Sequence, residues 1–327
     1  MFLITPLFNK VATFIHKHPK RLFLFPWFGL IFWYAMLISM LAWWGADGRP
    51  IWHWLYGWDM TPKQFKDQYG NVGLIYISDI GATKMQGVFI SLSCTQGIVY
   101  CLTVLVWYVI DYTNKDDFLT PSEQKEIDTS DAHDTTDTTA ASDITSSSSE
   151  EVSDEVKISK TKHFFKFSHH EKNLIFASLI CCCIGSLGIL FCSIFNTRDF
   201  HRVHLSMVGV FLAGMAISVI LTGTSFILTG KNQYKRENNT DDHSVGYKIW
   251  TKNYYQKMFA NTWLISGIAK LIWVIMAIVW AICFGGVSVN DISAVFEWLL
   301  AFWYGIIFVI WSIDMYIHRN LSEKNTA

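Results

Sequence analysis

Six long apolar runs alternate with polar stretches along the chain, at residues 22–44, 84–110, 173–194, 203–230, 258–285 and 294–316. Each holds at least the roughly 20 residues that a helix needs to cross about 30 Å of hydrocarbon. No water reaches the backbone at that depth, so each run must satisfy its own N–H and C=O groups, and helices are predicted. The polar stretches differ in sign. Residues 1–21 carry Lys10, Lys17, Lys20 and Arg21 with no Asp or Glu, residues 231–257 carry six Lys or Arg, and the tail opens with His318-Arg319. Basic residues gather on the cytosolic side of a membrane, which places both termini inside and requires an even number of spans. The first run is too long for a signal-peptide core and is read as a retained span.

The pattern predicts an all-α polytopic membrane protein, a six-transmembrane-helix bundle. Its segments are a cytosolic N-terminus (1–21), a first hairpin with an outer loop (22–110), a cytosolic loop (111–172) and a second hairpin (173–230). A basic cytosolic loop (231–257), a third hairpin (258–316) and a cytosolic tail (317–327) complete it. There is no internal repeat. Two glycosylation sequons, at Asn238 and Asn320, fall on segments placed in the cytosol and are expected to carry no sugar. Gly185 and Gly188, near the centre of the third run, let a neighbouring helix come close.

Composition agrees with this class, at 51% hydrophobic and only 16% charged residues. The net charge of −1 conceals a strong segregation in the loop 111–172. Residues 128–155 are Asp, Glu, Ser and Thr with almost no large apolar side chain, so they cannot bury enough surface to offset their ordering entropy and are expected to be disordered. Ser146, Ser147, Ser148, Ser149 and Ser153 precede or flank acids, a pattern suited to acidophilic kinases. The loop then turns basic: Lys157, Lys160, Lys162, Lys166 and Lys172 interleave with aromatic residues and histidines beside the third span. This strip fits two readings, a positive-inside anchor or a contact for anionic phospholipids and phosphoinositides.

The outer loop 45–83 is rich in Trp and Tyr, as expected at headgroup level, and could instead form a rim for a lipid headgroup or sterol. All seven cysteines lie in or beside apolar runs. They imply no disulfide framework and read as small buried hydrophobes. No nucleophile–base pair, phosphate loop, nucleotide fingerprint or nucleic-acid signal is present, so no catalytic residue, cofactor or metal is assigned.

Ionisable residues inside spans are the candidates for function. Lys270 is the deepest, and by depth neither Glu297 nor Asp314, near the two ends of the last span, comes within reach of it. Asp79, Asp199, His201, His204 and Glu297 all fall at outer helix ends and could line one outer mouth. His201 and His204 have the i,i+3 spacing of a metal pair, but the favoured role of the cluster is interhelical hydrogen bonding that locks the outer loop to the bundle. In Tyr76-Ile-Ser-Asp-Ile-Gly81, Asp79 and Gly81 predict a turn, with Gly81 supplying positive φ. Thr83 and Gln86 then predict an N-cap for a helix starting at Lys84. Arg198, Arg202 and His204 are the expected partners of Asp79.

The stretch Ile77-Ser78-Asp79-Ile80-Gly81-Ala82 resembles the signature loop of the FRAG/DRAM/SFK family of six-span membrane proteins. The resemblance extends to Ser193–Thr197 with His204 and to the acids of the last span. A Pro-Glu pair usual after the loop is replaced by Lys84-Met85-Gln86. The long Ser/Thr/Asp-rich inner loop is most similar to the SFK branch. That resemblance implies a plasma-membrane, non-enzymatic regulator or scaffold that helps phosphatidylinositol 4-kinase signalling and affects phospholipid distribution across the bilayer. The other branches imply GPI-anchor lipid remodelling in the Golgi or endoplasmic reticulum, or an autophagy role at the vacuole or lysosome.

Overall fold

The computed structural model describes residues 4–52, 63–64, 73–112, 169–237 and 261–326. The acidic stretch with its candidate serines, Lys157, Lys160, Lys162 and Lys166, and most of the outer-loop aromatics lie outside these residues. An amphipathic helix α1 (Ile4–Lys17) leads through a 3₁₀ segment (Pro19–Leu24) into α2 (Phe25–Ala46). A short helix α3 (Ile77–Gly81) precedes α4 (Gln86–Tyr112). Then follow α5 (His169–Ile194), α6 (Thr197–Glu237), α7 (Thr262–Gly286) and α8 (Asn290–Thr326). Six of these helices, α2 and α4 to α8, are long and apolar enough to cross a membrane.

The spans close into a ring in which each packs on the next in sequence and α8 returns to α2. Between helices already in lipid there is little hydrophobic drive, so close approach over small residues supplies the packing. A Cβ on Gly188 would stand 2.6 Å from the backbone nitrogen of Phe211, and one on Gly214 would stand 2.7 Å from that of Gly185. The α5–α6 hairpin therefore packs backbone against backbone. Gly223 and Gly267 do the same between α6 and α7. α7 presents Ile272, Ile275, Ile278 and Ile282 outward, the apolar surface that acyl chains cover.

Large aromatic side chains fill the ring. Trp33, Tyr100, Tyr304, Phe308 and Trp311 are all buried, and Gln96 Nε2 donates to the Tyr304 hydroxyl at 2.5 Å. Trp273 and Trp303 exchange indole-to-carbonyl bonds of 2.9 and 3.0 Å, which fixes the register of the antiparallel α7–α8 pair.

Local starts and stops differ in three places from the expectation. Residues 77–81 form one helical turn, not a glycine turn, and Gly81 does not take positive φ. Glycine is needed there for space, because a Cβ would lie 2.6 Å from the Phe89 ring. α4 begins at Gln86, with Thr83 Oγ1 accepting from Met85 N at 3.3 Å and donating to the Ile80 carbonyl at 2.6 Å. Third, Asn196 opens α6 by a reciprocal cap: its side chain accepts from Asp199 N at 2.8 Å and donates to the Asp199 carboxylate at 3.0 Å. The helix then kinks at Phe200, whose φ of −133° and ψ of 42° are not helical.

Candidate functional site

Polar groups collect at both ends of the bundle. At the outer end, the first turns of α8 hold residues 73–78, the lead-in to α3 and its first two residues. The Asp291 carboxylate accepts from Gly73 N at 2.9 Å, and Trp298 Nε1 donates to the Ile75 carbonyl at 2.9 Å. Glu297 accepts from Ile77 N at 2.6 Å, with Ser78 beside it. The ring of Tyr76 meets Phe284 edge-on. Burial raises the Tyr76 hydroxyl above its ordinary range, and the nearby Ser293 opposes that shift.

This arrangement explains why α3 forms in so short a segment. The first N–H groups of a helix have no partner within it. Tyr76 makes no side-chain cap, and Glu297 reaches across from α8 to fill that place. Asp79 is buried in the same turn, within electrostatic range of Glu297. Arg198 pairs with Asp199 at 2.9 Å on the surface.

The predicted outer mouth is thus only partly assembled. Ser78, Asp79 and Glu297 come together, and Gly81 lets Phe89 pack beneath them. His204 is buried one layer away, with Nδ1 2.9 Å from the Cys192 carbonyl and 3.0 Å from that of Phe195. Both partners are acceptors, so Nδ1 carries the proton. Cys192 itself lies within electrostatic range of Glu297. Asp199 faces solvent, because its carboxylate is spent on Asn196 and Arg198 at the helix start. His201 is exposed, bonded to Thr197 Oγ1 at 3.0 Å, so the two histidines do not face a common point.

At the inner end, Lys270 is completely buried and forms an ion pair with Asp314. Its Nζ also bonds Ser266 Oγ at 2.7 Å and sits over the rings of Phe226, at 3.7 Å, and Trp311, at 4.8 Å. This corrects the expectation that no acid reaches Lys270. By the Trp273–Trp303 register, Asp314 lies about two helical turns further inward than the position facing Lys270. Side chains lean toward the N-terminus of their own helix, however. On α7 that direction is inward and on α8 it is outward, so the long lysine and the aspartate lean toward each other. The bond to Ser266, one turn closer to the cytosol, records the same lean. A small cleft beside the pair is lined by Trp107, Phe226, Trp263 and His318.

Two further polar ties escaped the pattern of the sequence. Glu171 is buried and accepts from Asn232 Nδ2 at 2.6 Å, joining the inner ends of α5 and α6. Asp291 and Trp298 hold residues 73–78. For these, the one available signal was an acid in the first turn of α8. Of the basic strip only Lys172 lies among the described residues, with its ammonium 5.7 Å from the centre of the Tyr108 ring.

Comparison with known proteins places this geometry. The Frag1/DRAM/Sfk1/Cwh43P N-terminal domain family matches residues 21–318. Protein SFK1 of Saccharomyces cerevisiae is 35% identical over 321 residues, covering 90% of this chain and 78% of that protein. No solved structure matches. The match extends from the start of the first span to the end of the sixth, and the chain is a multi-pass membrane protein belonging to the Frag1/DRAM/Sfk1 family.

Proposed function

We propose that the protein acts at the plasma membrane as a non-enzymatic regulator or scaffold in phosphatidylinositol 4-kinase signalling, and thereby in the organisation of phospholipids across the bilayer. The observation that carries the non-enzymatic part is the outer centre. Glu297 is directed at the backbone N–H of Ile77 in the signature loop, with Ser78 beside it. A carboxylate engaged in this way holds two segments together and presents no base to a substrate. Similarity to SFK1 over most of the chain supports the choice of branch.

In this reading both termini and the loops 111–172 and 231–257 are cytosolic. The basic strip Lys157, Lys160, Lys162, Lys166 and Lys172 meets anionic phospholipids or phosphoinositides, gaining about 1 kcal/mol per charge near the surface. Phosphorylation at Ser146 to Ser149 or Ser153 opposes that contact, because each phosphate adds about −1.5 to −2 charges nearby. A phosphatidylinositol 4-kinase complex is the protein partner, and nucleic acid is not one.

The test is to tag the protein and remove it. Surface fluorescence, with lower phosphatidylinositol 4-phosphate at the plasma membrane of cells lacking the protein, is the expected outcome. Fluorescence confined to the Golgi or endoplasmic reticulum, with altered GPI-anchor lipids, would favour anchor remodelling. A vacuolar or lysosomal signal would favour an autophagy role.

A further inference from the structure

Three thiols meet where α4 and α5 cross, at the middle of the membrane. The sulfurs of Cys101, Cys182 and Cys183 all lie within 4.8 Å of one another, and those of Cys101 and Cys182 are 3.8 Å apart. The helices are drawn together at this level. A Cβ on Gly97, one turn from Cys101, would stand 3.1 Å from Ser186, one turn from Cys183. Ser186 Oγ donates to the Gly97 carbonyl at 3.2 Å and lies 3.3 Å from Cys101 Sγ. Cys182 is fully buried, Cys101 is half-buried, and Cys183 is exposed on the outer, lipid-facing surface.

We propose that Cys101, Cys182 and Cys183 form a binding site for a soft monovalent metal ion, and that copper(I) is the ion it fits. Three arguments select that class. Thiolates and thiols are soft donors, and soft donors favour copper(I) over hard cations. A trigonal plane with metal–sulfur bonds of about 2.3 Å, as for zinc thiolates, sets the sulfurs about 4 Å apart, so the triad needs little closure. Charge then separates the candidates. One copper(I) that displaces one thiol proton leaves a neutral site, which hydrocarbon tolerates. Zinc(II) must displace two protons for neutrality and prefers a fourth ligand, for which three sulfurs provide no donor. Cys183 opens the site sideways to the lipid, so the ion enters laterally from a lipophilic complex or during insertion of the chain. Cys181 lies beside the triad in sequence and outside it in space.

The test uses the full-length protein in detergent under anaerobic, reducing conditions, with copper(I) supplied as its acetonitrile complex. After desalting against a weak chelator, about one copper per chain should remain, and X-ray absorption should show three sulfur neighbours and no nitrogen or oxygen. Cys101→Ser and Cys182→Ser should each lower retained copper by at least about tenfold, since even outer-shell losses reach that figure. Cys94→Ser, Cys181→Ser and Cys283→Ser should leave it unchanged. Absence of retained copper, a nitrogen or oxygen shell, or a disulfide between Cys101 and Cys182 in the untreated protein would overturn the proposal. The spectrum of the unsubstituted protein decides the matter even where a variant fails to fold.

Discussion

The two polar ends of this bundle solve the same problem in opposite ways. The outer centre spreads its polar contacts over several partners: Asp291, Glu297 and Trp298 each hold one point of residues 73–78. The inner centre is built around one buried ion pair, Lys270 with Asp314, supported by Ser266 and enclosed by Phe226 and Trp311. Distributed contacts tolerate single losses. A desolvated pair does not, because removing one partner strands the other charge in a medium that cannot solvate it. The contrast suits their positions, since the outer segment is docked on a helix and the inner pair joins two spans directly.

The largest effect is therefore expected inside. Lys270→Met leaves Asp314 without its cation and should cost about 3–5 kcal/mol, read as a collapse of monodisperse protein on fluorescence gel filtration. The double substitution Lys270→Met with Asp314→Leu should recover much of that loss, because two apolar side chains of similar volume replace the pair. If the double variant is as unstable as the single one, the pair is not the feature that matters.

Next in size come losses from the outer centre. Glu297→Ala removes the acceptor for Ile77 N, and should cost about 1–3 kcal/mol in thermal unfolding of the detergent-solubilised protein. Gly81→Ala should cost about the same by forcing the Phe89 ring aside. A loss from Glu297→Ala as great as that from Lys270→Met would erase the distinction between the two ends.

A smaller effect is expected at Asp79. Asp79→Ala should lower the protein's level by about 0.5–2 kcal/mol of stability, the range of a lost cap, and Asp79→Asn should be mostly tolerated. The smallest effect belongs to Asp199. It faces solvent and serves only the helix start beside Asn196. Asp199→Ala should leave both level and location unchanged, whereas an outer-mouth role would make it as damaging as Glu297→Ala.

The sequence makes the spans legible because lipid imposes one rule, a continuous run of about 20 apolar residues. Glu297 and Ser78 are legible as candidates because polar groups are conspicuous in such runs. Their pairing is not. Glu297 and Ile77 are 220 positions apart, and only the closure of α8 against α2 and α3 brings them together. Lys270 was misread because depth was counted along the backbone, while side chains on antiparallel helices lean in opposite directions. Asp199 was misread because an acid in a first helical turn looks the same whether it caps that turn or faces a cavity. The cysteine triad was out of reach for a simpler reason. Nothing in either run says which face of α4 meets which face of α5.

If the outer carboxylates hold structure and perform no chemistry, Glu297→Gln is a mild change, since the amide oxygen still accepts from Ile77 N while the ionisable group is gone. The measurement is plasma-membrane phosphatidylinositol 4-phosphate in cells whose sole copy is this variant, matched to the unsubstituted protein for amount and location. The unsubstituted level is the expected result. A variant that is fully expressed, correctly placed and yet equivalent to complete absence of the protein would contradict it.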